Sequence, residues 1–321
     1  LSDILKHLEG ARSVIISGHT RPDGDCVGAC TGMAGFIREY YPDKKVDVRL
    51  ETVPASYRSI PGAESVITDF EDDTRYDLFI ALDASDRERL AGAVRYFDTA
   101  ADTICIDHHV SNPGYANENL ILPDASSTCE VLADVIGEDR ISRSTAYALY
   151  TGIICDSGVF RYSCTSRHTM EVAGMLMEKG IPFTRMIDEE FFAKTYKQQR
   201  LLGEALLAAR LELEGRIIIS LMNRETMDAY EALSEDLEGI VAKMRETENV
   251  EVAIFASENK DGTYKFSLRS NEYVDVSEIC QAFGGGGHVR AAGFTCRGDV
   301  NKTVCDIVKM AKKQICSHLA D

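Results

Sequence analysis

Residues 17–25 read Ser17-Gly18-His19-Thr20-Arg21-Pro22-Asp23-Gly24-Asp25 and follow the apolar run Val14-Ile15-Ile16. The run predicts a buried strand, and Gly18, Pro22 and Gly24 predict a turn directly after it. A turn at the carboxyl end of a strand is where open α/β sheets place their ligands. His19, Asp23 and Asp25 would then project into one crevice. This mix of nitrogen and oxygen donors suits a divalent transition ion such as manganese or cobalt better than magnesium, which prefers oxygen alone. Pro-Asp-Gly-Asp is also an ordinary turn, so the stretch by itself leaves both readings open.

The pattern continues downstream. Val27, Met33, Ala34 and Ile37 predict a helix ending near Tyr40-Tyr41-Pro42. Residues 45–50 alternate as a second strand, and residues 77–82 form a third, apolar on both faces as in a covered parallel sheet. The third strand delivers Asp83 at its carboxyl end. A fourth, at 103–106, delivers Asp107-His108-His109 in the same way. Helices are predicted at 127–136, 142–154 and 166–179, the second stopping at Asp156-Ser157-Gly158. Strands interleaved with helices predict a doubly wound, mainly parallel α/β sheet. Residues 182–210 read as mostly helical and without a strand. The chain is therefore divided into a first domain at 1–190, a helical connector at 191–212 and a smaller α/β domain at 213–321. In the last, strands are predicted at 217–221, 250–256 and 264–268, with a helix at 235–245, a glycine-rich turn at 284–287 and a final helix from about 300 to 315.

A length of 321 residues agrees with two domains, and 45% hydrophobic with 27% charged residues excludes a disordered chain. The net charge of −17 opposes binding of long polyanions or of a membrane surface, although a local basic pocket can still hold a short anion. Ten cysteines lie scattered, mostly in apolar segments, and no pair shows a two-residue gap. They read as reduced core thiols of a cytoplasmic protein. A signal peptide and an apolar stretch of bilayer length are both lacking, in a chain that begins at Leu1.

Four segments thus place carboxylates or imidazoles where an element ends. A lone His-His pair is by default a hydrogen-bonded turn. Four such groups at successive element ends are harder to explain so, because carboxylates brought together repel and need a cation between them.

His19-x-x-x-Asp23-x-Asp25, Leu82-Asp83, Asp107-His108-His109 and Cys155-Asp156-Ser157-Gly158 resemble the four motifs of the DHH phosphoesterase superfamily. Gly284-Gly285-Gly286-Gly287-His288 resembles the glycine-histidine motif of the DHHA1 domain that follows it. The resemblance covers nearly the whole chain. With Ser267-Leu268-Arg269-Ser270 it is strongest to the NrnA-type bifunctional oligoribonucleases, which also remove the 3′-phosphate of adenosine 3′,5′-bisphosphate (pAp). It implies a DHH catalytic domain over 1–190, a DHHA1 substrate-binding domain over 213–321 and an active-site cleft between them. It further implies one metal ion held by His19, Asp23 and Asp83 and a second held by Asp25, Asp83, His108 and Asp156, with Asp83 bridging. Manganese is the expected metal, with cobalt and magnesium as alternatives. Asp107 would orient a histidine ligand or its neighbour. His109 would serve the substrate phosphate or the leaving oxygen as hydrogen-bond donor or general acid. Arg269, Ser270, Gly285, Gly286, Gly287, His288 and Arg290 would contact substrate.

The implied substrates are RNA of about two to five nucleotides and 3′-phosphorylated nucleotides, which need only a local basic patch; long duplexes and membranes are not expected. A homodimer is left open. The same metal pair would also suit pyrophosphate or polyphosphate, but pyrophosphatases of the superfamily carry a different second domain. Phosphodiesterase action on cyclic or linear dinucleotides is a further alternative. A nucleotide-binding regulator that has lost catalysis is disfavoured, because every implied ligand is present. A four-glycine tract also resembles a flexible linker, but Phe283 and Ala291-Ala292-Gly293-Phe294 on its flanks predict a packed setting. Its spacing matches neither a Walker loop nor a dinucleotide fingerprint.

Overall fold

The structure, a computed structural model, describes residues 2–320. The chain forms two compact units, one ending at Ala193 and the other beginning at Lys194.

The first unit is built on a five-stranded sheet of order β2-β1-β3-β4-β5, from β1 (Ser13–Ser17), β2 (Lys45–Val48), β3 (Leu78–Leu82), β4 (Asp102–Asp107) and β5 (Glu118–Ile121). Every pairing is parallel. Side chains alternate across the sheet even where both faces are buried. Val14, Ile16, Leu78, Ile80, Leu82, Ile104 and Ile106 pack in one cluster with the helices Gly24–Tyr40, Thr128–Ile136 and Arg143–Asp156. Ile15, Phe79, Ala81 and Cys105 pack on the opposite side with Tyr76, Tyr96 and Phe97. The strand order reverses direction at β1 and β3, and that switch point is where an open parallel sheet leaves a crevice at its carboxyl ends.

The second unit carries a six-stranded sheet of order β10-β11-β9-β8-β7-β6. Its strands are β6 (Arg210–Glu212), β7 (Ile217–Met222), β8 (Val252–Glu258), β9 (Tyr264–Ser270), β10 (Gly286–His288) and β11 (Ala291–Cys296). Only β7 and β8 pair in parallel. One face, with Ile254, Phe266, Leu268 and Phe294, is covered by the helices Val276–Gln281 and Val300–Ala320. On the other face Ile218, Ala253 and Phe255 meet Leu201, Ala205, Met227 and Met244. The helix Tyr196–Leu207 and strand β6, within the stretch read as a connector, therefore pack as part of this second unit.

Several elements lie outside the sequence reading. Strands β5, β6, β10 and β11 and the helix Val276–Gln281 were not anticipated. Edge strands β5 and β6 are only half-covered, and β10 is two glycines and a histidine, so none carries a hydrophobic alternation. The helix expected over 235–245 is a 3₁₀ turn, Ser234–Leu237, and a short helix, Ile240–Arg245, separated by Gly239 at φ 88°.

The crossing of the helices Gly24–Tyr40 and Arg143–Asp156 requires glycine at position 28, where an added Cβ would lie 2.4 Å from the Ala148 carbonyl oxygen. Gly28→Ala is therefore expected to lower the unfolding free energy by about 1–3 kcal/mol through overpacking. Urea denaturation checks this, and an unchanged midpoint would contradict so close an approach.

Candidate active site

The carboxyl ends of β1, β3 and β4 bring the first unit's chemistry together. His19 follows β1. Asp23 caps the next helix, its Oδ1 accepting the amides of Asp25 and Cys26 at 3.1 Å each. Asp25 lies in the first turn of that helix and Asp83 directly after β3, at φ 54°, a strained left-handed backbone for a residue with a side chain. Asp107 ends β4, and Asp156 ends the helix Arg143–Asp156.

Asp83 stands at the centre. Its Oδ2 is 3.5 Å from His19 Nε2, and its Oδ1 is 3.7 Å from His108 Nε2 and 3.6 Å from His109 Nδ1. His19 Nε2 is also 3.5 Å from Asp23 Oδ1. On the other side His108 Nε2 lies 3.9 Å from Asp25 Oδ2 and 3.2 Å from Asp156 Oδ2. Asp83, His108 and His109 form one group able to hold a cation, and Asp25, His108 and Asp156 form another. A third joins His19 and Asp83 to Cys26, whose side chain is fully buried.

The surroundings orient these donors. His19 Nδ1 lies 2.7 Å from the Thr20 carbonyl and His108 Nδ1 lies 3.3 Å from that of Ala125. With a proton on each Nδ1, both Nε2 lone pairs turn to the crevice, the usual arrangement of metal-ligating histidines. Asp107 holds the His108 amide and His109 Nδ1 on Oδ1, both at 2.8 Å, and accepts Asn112 Nδ2 at 2.6 Å on Oδ2. Asp25 accepts the amides of Thr128 and Cys129 at 2.7 and 2.9 Å, and Thr128 Oγ1 donates to Asp83 at 3.0 Å. Thr128, Cys129 and Asn112 were missed from sequence. The only available signal was the polar run Ser126-Ser127-Thr128 at a helix start.

Charge is unbalanced here. Burial, then the charges of Asp83 and Asp156, raises Asp25 well above the usual carboxylate range, and burial likewise raises Asp156. Burial works against a charged imidazole at His19, yet Asp23 and Asp83 outweigh it and push its pKa up to about 12. At His108 burial is again opposed, by Asp156, Asp25 and Asp83, and the pKa rises to about 10. His108 Nε2 is nevertheless buried without a hydrogen bond. Buried carboxylates converging on an orphaned imidazole nitrogen fit divalent ions, whose charge would replace the protons.

In the second unit the glycine tract is folded, not a linker. Gly286, Gly287 and His288 form β10, paired with Gly293, Ala292 and Ala291 of β11. Gly285 donates its amide to the Cys280 carbonyl, and a Cβ there would fall 2.3 Å from the Gly293 carbonyl oxygen. His288 is exposed, and Arg269, half-buried, faces a hollow with Gly286. Two residues expected to contact substrate have other partners. Ser270 is buried and donates to the Val274 carbonyl at 2.6 Å. Arg290 donates to the carbonyls of Val274 and Glu272. Both secure the turn after β9, whose amides at residues 272–274 are held by the buried carboxylate of Glu251.

Comparison with known proteins identifies the two domains. The DHH family, N-terminal domain, matches residues 13–153, and the DHHA1 domain matches residues 216–315. The bifunctional oligoribonuclease and PAP phosphatase NrnA of Thermus thermophilus is 25% identical over 98% of this chain and 93% of its own. The protein of that name from Bacillus subtilis is 22% identical over 97% of this chain and 99% of its own. The crystal structure of an exopolyphosphatase-related protein from Bacteroides fragilis superposes with a TM-score of 0.83 at 24% identity, covering 97% of this chain and 95% of that one. Its likeness speaks for the fold. With both domains matched in order, and with the aspartates and histidines of the first gathered at one crevice, the chain belongs to the DHH family of phosphoesterases that carry a DHHA1 domain.

Proposed function

We propose that this chain hydrolyses RNA of about two to five nucleotides to mononucleotides and removes the 3′-phosphate of pAp, using two divalent ions, most suitably manganese. One observation carries the reading: Asp83 turns one oxygen to His19 and the other to His108, as a carboxylate shared by two ions would. His19 and Asp23 would complete one site, and Asp25, His108 and Asp156 the other. Ions held there would activate water near neutral pH and offset the charge that develops on the phosphoryl oxygens.

The chain's own groups do the rest. The amides of Thr128 and Cys129 fix Asp25. Asp107 raises the pKa of His109 and holds its Nδ1, so that the ring can carry a proton for the leaving oxygen on Nε2. In the second unit Arg269, Gly285, Gly286, Gly287 and His288 would recognise the nucleotide, with Ser270 and Arg290 shaping the turn beside them. The names of the relatives support this choice of substrates. The net charge of −17 supports short over long nucleic acid. Among the described residues no helix is long and apolar enough to cross a membrane, and the cysteines are free thiols. Both facts support a place in the reducing cytoplasm.

Asp83→Ala is expected to abolish hydrolysis of RNA and pAp and to remove at least one manganese per chain in calorimetric titration. Wild-type turnover in that variant would overturn the shared-carboxylate assignment. Metal uptake has a definite pH sign. His19 and His108 are held protonated in the ion-free site, so binding must expel protons and affinity must rise with pH. Titration in buffers of different ionisation enthalpy measures the release, and pH-independent uptake would contradict it. Arg269→Ala is expected to cut kcat/KM for nucleotides at least ~10-fold more than for a small aryl phosphate, the worth of one charge-assisted hydrogen bond. Equal losses on both would remove Arg269 from nucleotide recognition.

A further inference from the structure

The turn between β5 and the helix Thr128–Ile136 supports one half of the metal crevice and not the other. The Ala125 carbonyl lies 3.3 Å from His108 Nδ1. The amides of Thr128 and Cys129 reach Asp25 Oδ2 and Oδ1 at 2.7 and 2.9 Å. The Thr128 hydroxyl donates at 3.0 Å to Asp83 Oδ1, the oxygen on the His108 side. On the reading above, His108, Asp25 and this oxygen of Asp83 all hold the second ion. The donors to the first ion are supported elsewhere, His19 by the Thr20 carbonyl and Asp23 by the amides of Asp25 and Cys26.

One buried carboxylate anchors that turn. Glu130 is 2% exposed, and its Oε2 accepts the Ser126 amide at 3.1 Å, the Ser126 hydroxyl at 2.5 Å and the Thr169 hydroxyl at 2.8 Å. A glutamate at this place in a helix ordinarily returns to the amide of the capping residue, here Ser127. Glu130 instead reaches one residue further and ties the turn to the helix Arg167–Glu178. Ser126, Ser127 and Thr128 are themselves buried, so solvent does not compete for these bonds. Burying a carboxylate is costly, and the three bonds offset that cost only while the turn keeps its place.

We infer that Glu130 is a positioning residue for the second ion alone. It bonds to none of the metal donors, but it sets the turn whose carbonyl, amides and hydroxyl aim His108, Asp25 and one oxygen of Asp83. Groups that orient metal ligands from outside typically govern affinity by ~10- to 100-fold. The inference rests on the two-ion reading above. It makes the two sites separable, because the cap at Asp23 and the Thr20 carbonyl hold the first without this turn.

Manganese binding isotherms of the full chain, read from the electron paramagnetic resonance of the free ion, test this without substrate. Wild type is expected to take up two ions. Glu130→Ala is expected to weaken one of them at least ~10-fold and to leave the other at its wild-type affinity. Glu130→Gln keeps an acceptor oxygen for the same three donors and is expected to recover most of the lost affinity. In an Asp156→Ala background, where the second site is already broken, Glu130→Ala is expected to change nothing further. Thr169→Val releases the helix from the carboxylate but not the turn, and is expected to lower the urea midpoint while both ions bind as before. A loss of one ion by Thr169→Val as large as by Glu130→Ala would make stability the cause and overturn the inference. Should Glu130→Ala fail to fold by circular dichroism, Ser126→Ala removes the 2.5 Å bond from its other end and is expected to weaken the same ion. Both ions weakened alike, or neither, overturns the inference and leaves the two-ion reading intact. Wild-type protein that binds a single manganese ion overturns the two-ion reading and the inference with it.

Discussion

Like charges forced together out of water govern the first domain. Asp25 and Asp83 are 0% and 2% exposed, Asp107 is fully buried, and Asp23 and Asp156 stand beside them. A buried carboxylate is costly unless it is hydrogen-bonded, paired or bound to a metal. Here the backbone supplies part of the compensation, through the amides at residues 128 and 129 and the cap at Asp23. Two imidazoles with strongly raised pKa values supply another part. What remains is negative charge that divalent cations would balance. The parallel sheet serves this constraint: the carboxyl ends of β1, β3 and β4 lie side by side and bring three of the segments together, and the end of the helix Arg143–Asp156 brings the fourth.

On the proposed reading the second domain meets a different problem, that of approaching an anionic ligand closely without a strong basic surface. Lys265 and Arg269 on β9, beside the glycines of β10 and β11, would serve this within a chain of net charge −17. Attraction would then be local. Long nucleic acid would meet repulsion beyond these cations, whereas a ligand of a few charges would not.

Much of the first domain was legible because its strands are unbroken apolar runs and its polar motifs sit at their ends. Val14-Ile15-Ile16 before His19 and residues 103–106 before Asp107 specify both a buried strand and the group it delivers. The supporting contacts were not legible. Thr128 and Cys129 reach Asp25 across 103 and 104 residues, and no local pattern encodes that pairing. In the second domain, strand parity adds information that the motif alone does not carry. Phe266, Leu268 and Ser270 share the inward face of β9, so Ser270 is buried with its neighbours while Arg269 faces out. Strands β10 and β11 escaped notice because glycine and alanine leave no hydrophobic alternation to detect.

The central claim, a metal-dependent phosphoesterase of short RNA, is tested most directly by comparing hydrolysis of labelled dinucleotide to pentanucleotide RNA, pAp and inorganic pyrophosphate, each with manganese and with excess chelator. The account predicts mononucleotides from the RNA and inorganic phosphate from pAp, both lost with chelator, and no turnover of pyrophosphate. Cleavage of pyrophosphate alone, or RNA hydrolysis indifferent to chelator, would contradict it.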